Sequence, residues 1–298
     1  MISTVIGVVT LVYLFAGLLF VGAALWQQER LNRAACFLLF CGLAAHLGAF
    51  AGRWVQSYQL ASRHAPPEAF TATLRLVVLQ VPLSNFFESL VFFSLALPSL
   101  GLLSFRRHLR DFLGAMVALL ACLILAYASL GADASIKPLM PALKSNWLLI
   151  HVLTAFLGYA AFGLAFGAAL LYLWQARPTP VASRRAASAV LHDLDRLIYQ
   201  AVAIGFIFLT LGILTGAVWA DQAWGRYWSW DPKETWSLIT WFIYAGLLHA
   251  RLVKGWAGLV KGWAGKRIAW LAVLGFLAVL FTYFGVSFLL SGLHSYLT

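Results

Sequence analysis

Apolar stretches long enough to cross a bilayer follow one another down this chain. A helical span takes about 20 mostly apolar residues. Eight segments meet that length: 3–26, 34–57, 84–104, 112–131, 147–174, 197–220, 237–253 and 268–291. Backbone groups in hydrocarbon must hydrogen-bond within their own segment, so each run is expected to be a helix. Breakers and charges fall between the runs, in "HAPPEAF", "GADASIKPLMP" and "ARPTPVASRR". Composition agrees: 10% of residues are charged and mean hydropathy is +0.86, whereas a soluble domain is about 25% charged. The expected fold class is an all-α integral membrane protein with eight transmembrane helices, forming a single transmembrane domain over 1–298. The first run lacks a basic leader, so no cleaved signal peptide is expected.

A formal charge of +11 in a soluble chain would suggest nucleic acid. In a membrane protein it reflects basic connections held on the cytoplasmic side, and no nucleic-acid partner is expected. The connections after spans one, three, five and seven carry 14 of the 21 bases: Arg30, Arg33, Arg106, Arg107, Arg110, Arg177, Arg184, Arg185, Arg196, Arg251, Lys254, Lys261, Lys266 and Arg267. Both termini are therefore expected on the outer side, periplasmic or lumenal. Cys36, Cys41 and Cys122 lie in apolar runs without metal-ligand spacing and read as small core residues. "LVKGWAG" at 252–258 recurs at 259–265. Its lysine and tryptophan suit an interfacial helix, and a duplication without a role explains it equally well.

The outer connection at 221–236 and the helix start beyond it contain "WGRYWSWDPKETWSLITW", with five tryptophans, two acids and two bases in eighteen positions. Membrane-edge tryptophans are ordinary, which accounts for one or two of them. It does not easily account for Trp224, Trp228, Trp230 and Trp236 interleaved with Asp231, Lys233 and Glu234. Clustered indoles make a flat apolar platform suited to a large planar ring, and Arg226 and Lys233 suit carboxylates on such a ring. Haem fits that description.

Seven histidines are present. His64, His108 and His192 lie in polar connections. His151 opens the fifth span and His294 follows the eighth, both on the outer side, and such a pair suits axial ligation of haem iron. His249 falls about 18 Å below the outer end of the seventh span at ~1.5 Å per residue, with Ala245 and Trp241 on its face. His46 is also mid-span. Polar groups at that depth are functional by default, although a helix–helix hydrogen bond is the plain alternative for a lone intramembrane histidine. In "VPLSNFFESLVFF", Ser84, Asn85 and Glu88 read as a capping cluster at a helix start or as a ligand group.

"WGRYWSWDPKETWSLITWFIYAGLLHAR" resembles the WWD signature of the CcsA (ResC-like) proteins of system II cytochrome c biogenesis. "VPLSNFFESLVFFS", "NWLLIHVLTAFLGYAAF" and "SGLHSY" look like that family's other marked segments, in the same order. The resemblance implies eight spans and haem b bound as transported substrate. It also implies a CcsB (ResB-like) membrane partner, together with which the chain forms a holocytochrome c synthase. In that scheme haem reaches the outer face, where its vinyl groups form thioethers with the CxxCH thiols of apocytochrome c. By position, the family's outer haem ligands fall on His151 and His294. Its intramembrane ligand falls on His249, opposite a ligand from CcsB. Trp224, Trp228, Trp230, Asp231 and Trp236 form the haem-binding loop. No catalytic residue is assigned to this chain by itself, which is expected to be the separate CcsA type and incomplete alone. The membrane is expected to be a bacterial inner membrane or a thylakoid. The nearest alternatives are a CcmC- or CcmF-like system I protein, or a haem b electron-transfer subunit with two mid-span histidine pairs.

Overall fold

The computed structural model describes residues 2–104, 110–177, 184–253 and 262–293, and these are helical or irregular, with no strand among the described residues. His294, Arg106, Arg107, Lys254 and Lys261, His108, and most of the tandem repeat lie outside them. The helices are α1 (Ile2–Trp26), α2 (Glu29–His64), α3 (Phe70–Leu79), α4 (Phe86–Ser104), α5 (Arg110–Gly131), α6 (Asn146–Gln175), α7 (Arg184–Trp224), α8 (Pro232–Leu252), α9 (Lys266–Leu280) and α10 (Val286–Leu289). A π-helical turn, Phe281–Gly285, joins the last two.

Among the described residues, seven helical segments are long and apolar enough to cross a membrane. The chain is thus an all-α, multi-pass membrane protein. The expected span 237–253 is also helical, within α8. It falls short of that measure because His249 and Arg251 dilute its apolar run. The short helix α3 lies in the connection between the second and third expected spans and was not anticipated.

The helices divide into two compact units. The first comprises residues 1–156 with Gln222–Trp224, and the second Leu157–Asp221 with residues 225–298. In the first, α1 packs on α2 and α5, and α4 on α5. Tyr13, Phe20, Leu39, Leu90, Phe93 and Leu113 are fully buried there. His46 takes the plain alternative, a helix–helix hydrogen bond: its Nδ1 lies 3.2 Å from the Tyr13 hydroxyl of α1. Asn85 caps α4, its Oδ1 accepting from the Glu88 amide at 2.9 Å. The Glu88 carboxylate accepts from the Ser84 amide at 3.0 Å and hydroxyl at 2.9 Å. Across from it Arg53 of α2 donates Nε to Glu88 at 2.9 Å and its terminal nitrogens to the Ala134 and Ser135 carbonyls. Both side chains of this pair are buried.

In the second unit α8 packs on α9. Gly158 and Gly205 bring α6 and α7 together so closely that a Cβ on Gly205 would lie 2.6 Å from the Phe162 ring and 3.1 Å from the Gly158 carbonyl. Small residues at helix crossings allow this approach in membranes. Phe162 stacks on Tyr244 of α8, ring centroids 3.6 Å apart. At the other end of α8, Arg251 pairs with Asp195 of α7 at 2.6 Å, and the second Asp195 oxygen accepts from the Gly265 amide at 2.8 Å.

Candidate functional site

The Trp-rich connection is ordered by its two acids. Asp231 is the N-cap of α8: one carboxylate oxygen accepts from the Lys233 amide at 3.0 Å, and Pro232 fills the first helical position, where no amide donor is needed. Glu234, three residues on, returns its carboxylate to the Asp231 amide at 3.2 Å, which completes a capping box. The same Glu234 oxygen accepts from the Ser229 amide at 2.8 Å, and the Ser229 hydroxyl donates to both oxygens at 3.2 and 3.3 Å. The other Asp231 oxygen accepts from the Leu293 amide at 2.6 Å. One carboxylate thus ties the start of α8 to the residue that precedes His294 in the sequence. Gly292 is required beside it, because a Cβ there would collide with the Asp231 carboxylate and with Pro232.

This frame turns some indoles out and others in. Trp230 adopts φ +59°, the left-handed region, and its side chain is 70% exposed. Trp228 meets it edge-on, with centroids 5.7 Å apart at 89°. Tyr227 is 60% exposed on the same connection. Trp236 points the other way and packs on Phe281 of the π-helical turn, centroids 4.3 Å apart. Its carbonyl accepts from Thr282, and Thr282 and Thr240 lie 3.1 Å apart, oxygen to oxygen. The π-helical turn thus sits where the last transmembrane segment meets the start of α8. Lys233 reaches that segment, donating Nζ to the Ser287 hydroxyl at 3.1 Å and lying 5.8 Å over the Tyr283 ring. Burial pulls the Lys233 ammonium down to about 8, against the opposing effect of the Asp231 carboxylate.

Of the predicted site residues, Trp228, Trp230, Asp231 and Trp236 are held in one frame in the second unit. Trp230 presents aromatic surface, with the half-buried Trp228 edge-on beside it, whereas Asp231, 7% exposed, and Trp236 serve the frame itself. Trp224 closes α7 and belongs to the first unit, as does His151 in the second turn of α6. The start of α6 is fixed by Ser145, whose hydroxyl accepts from the Trp147 amide at 3.2 Å and donates to Gln222 at 2.8 Å. His249 is exposed near the far end of α8, which fits a residue that faces lipid or a partner. Trp241, on its face, donates its indole N–H to Thr210 of α7 at 2.9 Å. The part played by Glu234 was missed, although "DPKE" carries the capping-box spacing that reveals it.

Fold and site together define an integral membrane protein that displays an aromatic, acid-braced loop at the head of one helix. Residues 83–294 match the family described as Cytochrome C assembly protein. The chain is similar to "Cytochrome c biogenesis protein CcsA" of Guillardia theta, 40% identical over 237 residues, covering 72% of this chain and 76% of the relative. It is similar to that of Synechococcus sp. (strain JA-3-3Ab), 38% identical over 274 residues, covering 72% and 77%. The Chlamydomonas reinhardtii protein of the same name is 41% identical over 221 residues, which cover 72% of this chain and 60% of the longer relative. A solved structure, "Cytochrome c Heme Lyase CcmF", superimposes with a TM-score of 0.68 at 20% identity, over 94% of this chain and 45% of that one, a likeness of fold. The chain belongs to the cytochrome c assembly family, in its CcsA branch. It is a membrane component of cytochrome c biogenesis.

Proposed function

We propose that the chain carries haem b to the outer face of its membrane and presents it there for thioether attachment to the CxxCH motif of apocytochrome c, as the CcsA half of a system II synthase. The single observation that carries this reading is the exposed Trp230 ring, held out with Trp228 edge-on to it by a fully hydrogen-bonded frame. An exposed indole costs contact with water and, with a half-buried one edge-on to it, is suited to stacking on a porphyrin. In this reading His151 and His294 are the axial ligands of the outer haem. His249, exposed on α8, meets haem lower in the bilayer with a second ligand from a CcsB-like partner. Trp224 joins the loop tryptophans around the ring. Asp231 contributes through the frame, and Lys233, cationic below pH 8, and Arg226 suit the propionates. With α8 counted, eight spans would put both termini on one side, and the excess of bases in alternate connections favours the outer side of a bacterial inner membrane or a thylakoid.

The test is the haem content and absorption spectrum of the chain purified with its CcsB-like partner. His151→Ala and His294→Ala are each expected to abolish holocytochrome formation and to change the ligation spectrum, with partial rescue by imidazole. A Trp228→Ala/Trp230→Ala double variant should lose most bound haem. A normal spectrum and full activity in His151→Ala would overturn the ligand assignment.

A further inference from the structure

Bulky residues avoid the left-handed region, because Cβ there crowds the backbone. Trp230 occupies it at φ +59°, and nothing in its own burial explains why, since the ring is 70% exposed. Strain of this kind persists only where the surroundings over-determine it. Here the determinant is visible. One oxygen of Glu234 accepts from the amides on both sides of Trp230, that of Ser229 at 2.8 Å and that of Asp231 at 3.2 Å. The carbonyl of Trp230 accepts from the Thr235 hydroxyl at 3.4 Å. Two amides two residues apart can converge on one acceptor only if the residue between them reverses the chain, and this reversal drives the Trp230 side chain outward.

We infer that Glu234 is a positioning residue: its carboxylate locks Trp230 in a strained backbone state so that the indole is displayed to a planar ligand. The inference rests on the haem-presenting role proposed above and adds how the platform is held. Glu234 also completes the capping box of α8, but Asp231 still caps the Lys233 amide without it, so its part in the helix start is read in the thermal midpoint and its part in the display of Trp230 in haemin binding. Removal of the carboxylate should let residues 229–231 relax and the ring turn away, at a cost in ligand binding similar to loss of the ring itself. A glycine at 230 should relieve the strain and abolish the display at once.

The experiment is a double-mutant cycle on the full-length chain, read by haemin titration and by the thermal midpoint in detergent. Trp230→Ala and Glu234→Ala should each weaken haemin binding about tenfold, and the double variant should be no weaker than either alone. Glu234→Gln keeps an acceptor for the two amides and should bind within about twofold of the parent. Trp230→Gly should lose haemin binding while its thermal midpoint holds or rises. If Glu234→Ala binds like the parent while Trp230→Ala is weakened, or if the two losses multiply, the positioning role is overturned and the haem reading stands. If Trp230→Ala itself binds like the parent, the loop is not the haem platform and the underlying reading fails. Should Glu234→Ala not fold, Glu234→Gln and Trp230→Gly decide: a Trp230→Gly chain that binds haemin like the parent overturns the inference.

Discussion

Asp231 divides its carboxylate between two amides, Lys233 at the start of α8 and Leu293 near the end of the chain. Loss of an N-cap costs about 1 kcal/mol, and a second charge-assisted bond lost in a buried place adds about 1.5–3 kcal/mol. Asp231→Ala should therefore lower the thermal midpoint by several degrees. Gly292→Ala should do so as well, by pushing the carboxylate off the Leu293 amide. Circular-dichroism melting in detergent checks both. Lys233 gives a pH signature. Its ammonium is ordinary near 10.5 and titrates near 8 in the folded chain. Between those values the unfolded chain holds a proton that the folded chain has released, so stability should rise with pH across that window. The burial cost of the charge is fully present below pH 8. Lys233→Met should flatten the rise, and a folded chain whose midpoint does not change from pH 7.5 to 10 would rule the buried ammonium out.

At the scale of elements, Arg53 and Glu88 join α2, α4 and the 134–135 carbonyls by a buried ion pair. Removing one partner of such a pair leaves an unpaired buried charge, at about 3–5 kcal/mol, whereas an apolar pair of similar volume is often neutral. Arg53→Ala should thus be severely destabilising, and Arg53→Met with Glu88→Leu much milder. Thermal melts of the three chains decide between this and a merely local cap, for which Glu88→Gln alone would be harmless and Arg53→Ala nearly so. The sequence marked Ser84, Asn85 and Glu88 as a capping cluster because cap residues sit next to one another in the chain. Nothing in it links them to Arg53, 35 residues from Glu88. The π-helical turn at Phe281–Gly285 was likewise invisible, as a single glycine in an apolar run does not announce it. It arises where Thr282 and Trp236 interlock two elements far apart in sequence.

For the molecule as a whole, the proposed path from the cytoplasmic side outward orders the histidines. His249→Ala should leave haem missing at both stations, because nothing delivers it outward. His294→Ala should keep the inner station loaded while the outer one empties or is misligated. Haem content and redox spectra of each variant, purified with a CcsB-like partner, measure this. A full and normally ligated outer haem in His249→Ala would remove the inner station from the path.

The sequence by itself determined the helices that are long enough to span, because hydrocarbon leaves a backbone no other way to satisfy its amides. It also located the aromatic loop, because its composition departs so sharply from the rest of the chain, and through the WWD resemblance it pointed to the family. Only the tertiary structure decided which of the motif's residues face outward. Trp228 and Trp230 read alike with Trp236 in a string of letters, yet Trp236 is drawn onto Phe281 while Trp230 is forced out by Glu234. Asp231 looked like a group for a ligand, and its oxygens are taken by two amides 60 residues apart in the chain, Lys233 and Leu293. Those outcomes depend on contacts between distant segments and on a strained backbone angle, and neither periodicity nor composition encodes them locally.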